Sequence, residues 1–350
     1  MATRQNASDA STAVDVPLQA STPRAHPPRL LRRIVAALLI VSGLVTFAYS
    51  GVSIYVATGV ANQAQPPLAI TQTPANLGLA YREVTFPSRL DSLTLRGWFI
   101  PGVLPNGSLT AQRVIVVVHG AQQNRTDPAA GLLDLSADFA HSGFAVLAFD
   151  MRGHGQSQPA PFSLGYFEQR DVLGAVDFLR SGPLPYPDLG RPRVIGGWGV
   201  SMGAISLLLA AGQEPAIKAI VADSAYPDIA PILEREIPKA GAPAPFTPGG
   251  LLSAWVLYGI NFYDVRPIDV VAHIAPRPIF FIQGGADTFN PPSNLGVLTA
   301  AAQAAPNASV QSWLVPGAAH AQAFHVAGSD YVNRVVSFFT SALGPDTGAA

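Results

Sequence analysis

The sequence predicts an α/β protein: a mostly parallel, doubly wound sheet preceded by one transmembrane helix. Three observations lead there. Beyond residue 80, short apolar runs rich in Val, Ile, Ala and Phe alternate with amphipathic stretches. An uncharged apolar run near the N-terminus is longer than a core helix needs. Between one apolar run and the next lies Gly199-Val200-Ser201-Met202-Gly203, a serine framed by glycines where a strand must turn sharply into a helix.

Residues 1–33 are rich in Ala, Ser, Thr, Pro and Asp and lack apolar periodicity, so a disordered tail is expected. No charged residue occurs from Ile34 to Tyr81. Within that span residues 34–60 read as a transmembrane helix, because about 20 apolar residues cross a bilayer core. Arg24, Arg29, Arg32 and Arg33 precede the run, and no basic residue follows until Arg82. The positive-inside rule therefore puts the tail in the cytoplasm and the rest of the chain outside it. The alternative is a cleaved signal peptide, for which Gly59-Val60-Ala61 offers small residues; the run and its preceding tail are both long for one. Residues 61–79 read as a linker.

The body spans residues 80–345. Glu83–Phe86 and Leu93–Ile100 read as strands joined by a turn at Pro87–Asp91. Val114–Val118 is wholly apolar, as a central parallel strand must be when helices cover both its faces. Leu132–His141 and Phe167–Arg180 carry apolar residues at helical spacing, with the strand Ala145–Phe149 between them. Arg193–Trp198 is a strand that leads through the serine turn into the helix Ala204–Ala211. Ala219–Ala222, Pro278–Ile282 and Val310–Leu314 are further strands, and Tyr331–Leu343 is the closing helix. Such alternation packs as a sheet with helices on both faces. Residues 224–276 exceed an ordinary connection and suggest a small helical cap. Its apolar residues, Trp255 and Phe262 among them, either pack on the body or wall a site for an acyl chain. Its middle, Lys239–Gly250, is rich in Gly and Pro and is expected as a mobile loop able to act as a lid.

In open α/β sheets ligands bind beyond the carboxyl ends of the strands. His119-Gly120-Ala121-Gln122, Asp150 to Ser157, Ser201, Gly284-Gly285-Ala286-Asp287 and Gly317-Ala318-Ala319-His320 each follow a strand end. A serine hydroxyl is a weak nucleophile near neutral pH and needs an imidazole base, which in turn needs a carboxylate to fix its tautomer. Ser201, His320 and Asp287 supply those types in the order Ser, Asp, His. The N–H groups of Ala121 and Met202 are placed to stabilise a tetrahedral oxyanion. The chain has no cysteine, which excludes disulfides and thiol catalysis. A net charge of −1 argues against nucleic acid as a partner. No His/Asp/Glu set has metal-site spacing, so neither metal nor other cofactor is expected.

These motifs together resemble the α/β-hydrolase superfamily, and the loop Arg152-Gly153-His154-Gly155-Gln156-Ser157 is similar to that of membrane-anchored bacterial esterase-like and peptidase-like members. The resemblance covers roughly residues 80–345. It implies Ser201 as nucleophile, Asp287 as triad acid, His320 as base and an oxyanion hole at Ala121 and Met202. Ala204 stands where the family usually has a further glycine. His325 is the rival base and Asp223 the rival acid. His119 and His154 read as structural, Asp150 as a tie for its glycine loop, and Glu168 and Asp171 as complements to a helix dipole. The expected reaction is hydrolysis of a carboxylic ester of a small molecule through an acyl-enzyme, with peptidase or acyltransferase activity on the same triad as alternatives. A catalytically silent cell-surface binding protein is the alternative outside that class.

Overall fold

The computed structural model describes residues 28–62 and 69–346. These fall into two compact units that part inside the first helix, after Ala48. Most of the expected tail, and positions 63–68 of the expected linker, lie outside the described residues.

Helix α1 (Arg29–Ala61) begins before residue 34 and takes in Arg29, Arg32 and Arg33. Arginine is a good helix former, so the basic flank extends the helix rather than ending it. Alone among the described residues, α1 is long and apolar enough to cross a membrane. In the first unit, residues 29–48, its side chains are exposed.

In the second unit the strands are β1 (Arg82–Pro87), β2 (Thr94–Ile100), the short ribbon β3 (Gly102–Val103) and β4 (Leu109–Thr110), β5 (Arg113–Val118), β6 (Ala145–Asp150), β7 (Val194–Val200), β8 (Ile217–Asp223), β9 (Ile279–Gly284) and β10 (Val310–Val315). All but the ribbon form one eight-stranded sheet in the order β1-β2-β6-β5-β7-β8-β9-β10. β1 and β2 run antiparallel to each other, β2 antiparallel to β6, and the others parallel. The side-chain period of two divides the apolar core. Val114, Val116 and Val118 face helices α3 (Gln169–Ser181), α4 (Met202–Gln213) and α7 (Ser293–Gln303), whereas Ile115 and Val117 face α2 (Leu132–His141) and α8 (Ser329–Leu343). Register aligns the strand ends: Val118 pairs with Phe149 and Gly199, and Val315 with Gly284. The loops that follow therefore leave from one edge of the sheet.

Two sequence expectations need correction. The body takes in part of the expected linker, because Pro74–Leu77 forms a 3-10 turn and Leu79 is buried. Residues 239–250 are largely ordered into helix rather than a loop. α5 (Ala230–Lys239) is followed by a 3-10 turn at Ala244–Phe246 and then by α6 (Thr247–Tyr258), whose first turn holds Pro248. Proline pre-sets the helical φ there and lacks an N–H that would go unbonded anyway. The helix α7 is the crossover between the parallel strands β9 and β10.

The strand-to-helix turn depends on Gly203. A Cβ added there would lie 2.5 Å from the carbonyl oxygen of His119 and nearer still to that of Val118. Both are backbone atoms that rotamer changes cannot move. Gly203→Ala is expected to cost about 3 kcal/mol, the upper end for overpacking, read as a lower thermal midpoint. Gly296→Ala, where an added Cβ meets nothing within 4 Å, is expected to lower nothing.

Candidate active site

Ser201 stands alone between β7 and α4 with φ 52° and ψ −119°, a conformation that L-residues rarely adopt. The strain is held from both sides. Its N–H donates to the Asp223 carbonyl at 2.9 Å, and its carbonyl accepts from Ile205 N at 3.1 Å. Gly199 removes a third obstacle, since a Cβ there would come within 2.6 Å of the Gly203 carbonyl oxygen. The outcome is a hydroxyl aimed off the sheet edge.

The Oγ of Ser201 lies 2.8 Å from His320 Nε2, and His320 Nδ1 lies 2.7 Å from Asp287 Oδ2. With Nδ1–H donating to the carboxylate, Nε2 is left to accept from the serine. Asp287 is buried, and every bond around it comes from a donor. Gln283 Nε2 donates to Oδ2 at 2.9 Å, and the N–H groups of Phe289 and Asn290 donate to Oδ1 at 2.9 and 2.8 Å. Asn290 in turn donates to Gln283 Oε1 at 2.8 Å and to the Ala225 carbonyl at 2.9 Å. The Phe289 ring lies 4.8 Å from the His320 ring. Gln283, Phe289 and Asn290 were not anticipated. The Asp-x-Phe-Asn order contained the signal, because an aspartate that accepts from the amides two and three residues on is an Asx turn.

The turn after β5 lies over the serine: a Cβ on Gly120 would be 3.8 Å from Ser201 Cβ. Ala121 follows directly, and Met202 opens α4, where the first N–H groups have no intrahelical acceptor. Two histidines and one aspartate pin this turn. His119 Nδ1 donates to the Gly120 carbonyl at 2.7 Å, and its Nε2 accepts from Met151 N at 3.0 Å. His154 Nδ1 donates to the Arg152 carbonyl at 2.7 Å, and its Nε2 accepts from Gln122 N at 3.3 Å. Each ring needs one bare nitrogen, so both must be neutral, and burial lowers the pKa of each. Neither bonds Ser201. Asp127 Oδ2 accepts from Gly120 N at 3.1 Å, and burial pushes its pKa up to about 6.

The rivals stand elsewhere. His325 Nε2 bonds the Pro128 carbonyl at 3.1 Å. Asp223 is buried beneath the site, where Tyr331 and Ser224 hydroxyls each donate to it at 2.8 Å. Ser224 Oγ then accepts from Ala321 N at 3.1 Å, which braces the turn carrying His320. Asp150 accepts from the backbone N–H groups of Arg125 and Gln156 at 2.7 and 2.8 Å and so closes its loop. Glu168 and Asp171 do more than complement a dipole. Glu168 accepts from Ser163 N and Gly165 N, and the buried Asp171 pairs with Arg152 at 2.7 Å. Such burial demands partners that solvent would otherwise supply. Among the described residues no three His, Asp or Glu side chains gather as metal ligands.

Burial raises the Asp223 pKa from 3.8 to about 6 against the two hydrogen bonds it accepts. A carboxyl pKa that is higher when folded means that the native state binds the proton more tightly than the unfolded chain. Its contribution is then fully favourable below about pH 4 and is lost as pH rises through 6. The loss amounts to about 3 kcal/mol at one pKa unit per 1.36 kcal/mol. Asp223→Asn is expected to match wild type in thermal stability at pH 4 and to exceed it at pH 7 to 8. Midpoints that stay equal across that range would show that Asp223 ionises without cost.

Residues 110–246 match the family described as serine aminopeptidase, S33. That match holds Ser201 and ends before Asp287 and His320. Esterase Pf2001 of Pyrococcus furiosus superposes with a TM-score of 0.63 at 24% identity, over 80% of this chain and 99% of that one. The chain has the α/β-hydrolase fold. Est1E of Butyrivibrio proteoclasticus, solved with ferulic acid bound, superposes on this chain with a TM-score of 0.54 at 17% identity, over 74% of this chain and 99% of that one. In sequence, the chain is similar to the uncharacterised Escherichia coli protein YfhR, at 27% identity over 258 residues, 73% of this chain and 79% of YfhR.

Proposed function

We propose that this α/β-hydrolase cleaves carboxylic esters through an acyl-enzyme and is held in a membrane by α1. The observation that carries the reading is the unbroken run of contacts from Ser201 Oγ to His320 at 2.8 Å and from His320 to Asp287 at 2.7 Å. Ser201 attacks the ester carbonyl while His320 takes its proton, and Asp287 steadies the imidazolium. The N–H groups of Ala121 and Met202 receive the oxyanion. His320 returns the proton to the departing alcohol, and water admitted by the same base frees the acid.

An apolar cavity of about 610 Å³ adjoins Ala121 and Phe289 and supports an acyl group as the bound part. The second reading is a serine peptidase. It is favoured by the family matched over residues 110–246 and by the Glu236 carboxylate on the cavity wall, a partner for a peptide amine. Glu236 already pairs with Arg235 and Lys239 at 2.7 and 2.9 Å, which favours the ester. The apolar length of α1 and the arginines at its start support an anchor with its N-terminus in the cytoplasm and the catalytic domain outside.

The test is fluorophosphonate labelling of the full chain in detergent, with the adduct located by mass spectrometry. Turnover of p-nitrophenyl esters and aminoacyl p-nitroanilides is measured beside it. An adduct on Ser201 with ester turnover is expected. A folded protein that takes no label contradicts the reading, and p-nitroanilide turnover above ester turnover moves it to the peptidase.

A further inference from the structure

The cavity beside the candidate site is not enclosed by the hydrolase body alone. Val52, Val56, Gly59 and Val60 of α1 form one wall, and Ile232 and Ile237 of α5 form another. This part of α1 is docked specifically. Tyr49 donates to the Pro245 carbonyl at 3.0 Å and stacks on Phe246 at 5.1 Å between centroids. Tyr258 donates to Thr58 Oγ1 at 3.2 Å and accepts from Asn62 at 3.3 Å. Between these ends Gly249 and Gly250 let α6 pack closely on α1: a Cβ on Gly250 would stand 2.6 Å from Val56 Cγ1. The N-terminal helix is therefore a structural part of the cap.

Its length gives that docking a meaning. At 1.5 Å per residue, the 33 residues of α1 extend about 50 Å. A bilayer hydrocarbon core takes about 30 Å. α1 is therefore longer than that core requires. α6, packed against α1, leaves Leu252, Trp255 and Val256 uncovered at 56, 55 and 71% exposure. An exposed apolar cluster that includes a tryptophan suits the interface of a bilayer.

We infer that the cavity takes the long acyl chain of a single-chain ester dissolved in the membrane, and that α1 is a wall of the substrate site as well as an anchor. One apolar pocket that reaches Ala121, next to the Gly120 that lies over Ser201, fits one chain. This rests on the ester-hydrolase and membrane readings above. The acyl chain lies against Val56 and Gly59, and its carbonyl reaches Ser201 past Ala121 and Phe289. A cut-off in chain length is then set by α1.

Gly59→Trp tests this in the full chain, reconstituted in phosphatidylcholine vesicles. Gly59 lines the cavity and a Cβ there meets nothing within 4 Å, so a tryptophan ring can be placed at the cavity wall without a backbone clash, and a residue other than glycine favours the helix. Gly51→Trp is the control, since Gly51 is equally open and lies on the same helix but not on the cavity. The expected result is a fall of 10-fold or more in the ratio of p-nitrophenyl palmitate to p-nitrophenyl acetate turnover for Gly59→Trp, with the fluorophosphonate adduct on Ser201 retained. Gly51→Trp is expected to match wild type on both esters. Equal effects on both esters, no effect, or the same loss in Gly51→Trp overturns the assignment of α1 to the site. Wild-type protein that takes no label fails the serine-hydrolase reading itself, and the inference falls with it.

Discussion

Ser201→Ala is expected to lower kcat for p-nitrophenyl esters by roughly 10⁴–10⁶-fold, the range found when a serine nucleophile is removed. Fluorophosphonate labelling should vanish with it. The fold should not. Alanine at φ 52° is no more strained than serine, and the hydroxyl's contact with His320 is the side-chain bond lost. His320 keeps its bond to Asp287, so a stability change of about 1 kcal/mol, one ordinary hydrogen bond, is the ceiling expected. The residual rate measures what the oxyanion N–H groups and substrate binding supply without a nucleophile. Retained turnover in a labelled, folded Ser201→Ala protein would assign the chemistry to another residue and sink the triad reading.

The serine turn was legible because its geometry allows few residue types. Only small residues fit at 199 and 203 against backbone, and those constraints appear in the chain as glycines flanking a serine. The parallel strands were legible for a related reason: burial on both faces leaves runs such as Val114–Val118 with no polar residue. The carboxylate end of the relay was legible in kind but not in support. Gln283 and Asn290 are neutral polar residues, common in loops, and their importance comes from three-dimensional closure around Asp287. Burial of Glu168 and Asp171 was hidden for the same reason, since partners such as Arg152 lie on another loop. The cap was misjudged where Gly and Pro suggested a loop. Pro248 instead starts α6, and Gly249 and Gly250 serve its contact with α1. That contact joins segments almost 200 residues apart in the chain, and no local pattern encodes it.

Asp287→Asn is expected to cost about 10⁴-fold in kcat, as when a triad carboxylate becomes an amide. The reason lies in the donors around it. Oδ1 accepts from two backbone N–H groups, which cannot reverse, so an asparagine must put its own oxygen there. Its NH₂ then takes the place of Oδ2 and faces Gln283 and His320 Nδ1. Gln283 cannot flip to accept without giving up the Asn290 amide at its Oε1. His320 must answer by carrying its proton on Nε2 and accepting at Nδ1. In that tautomer Nε2 points a proton at Ser201 instead of a lone pair, and the base is disabled while the geometry stays almost intact. Fluorophosphonate labelling should therefore slow by a similar factor rather than disappear, which separates this variant from Ser201→Ala. The parallel change Asp223→Asn decides between the two carboxylates. Asp223 bonds Tyr331 and Ser224, so its amide should leave the rate within about one order of magnitude, well short of the loss that follows removal of a base's orienting partner. A larger loss in Asp223→Asn than in Asp287→Asn would give the orienting role to the carboxylate on β8.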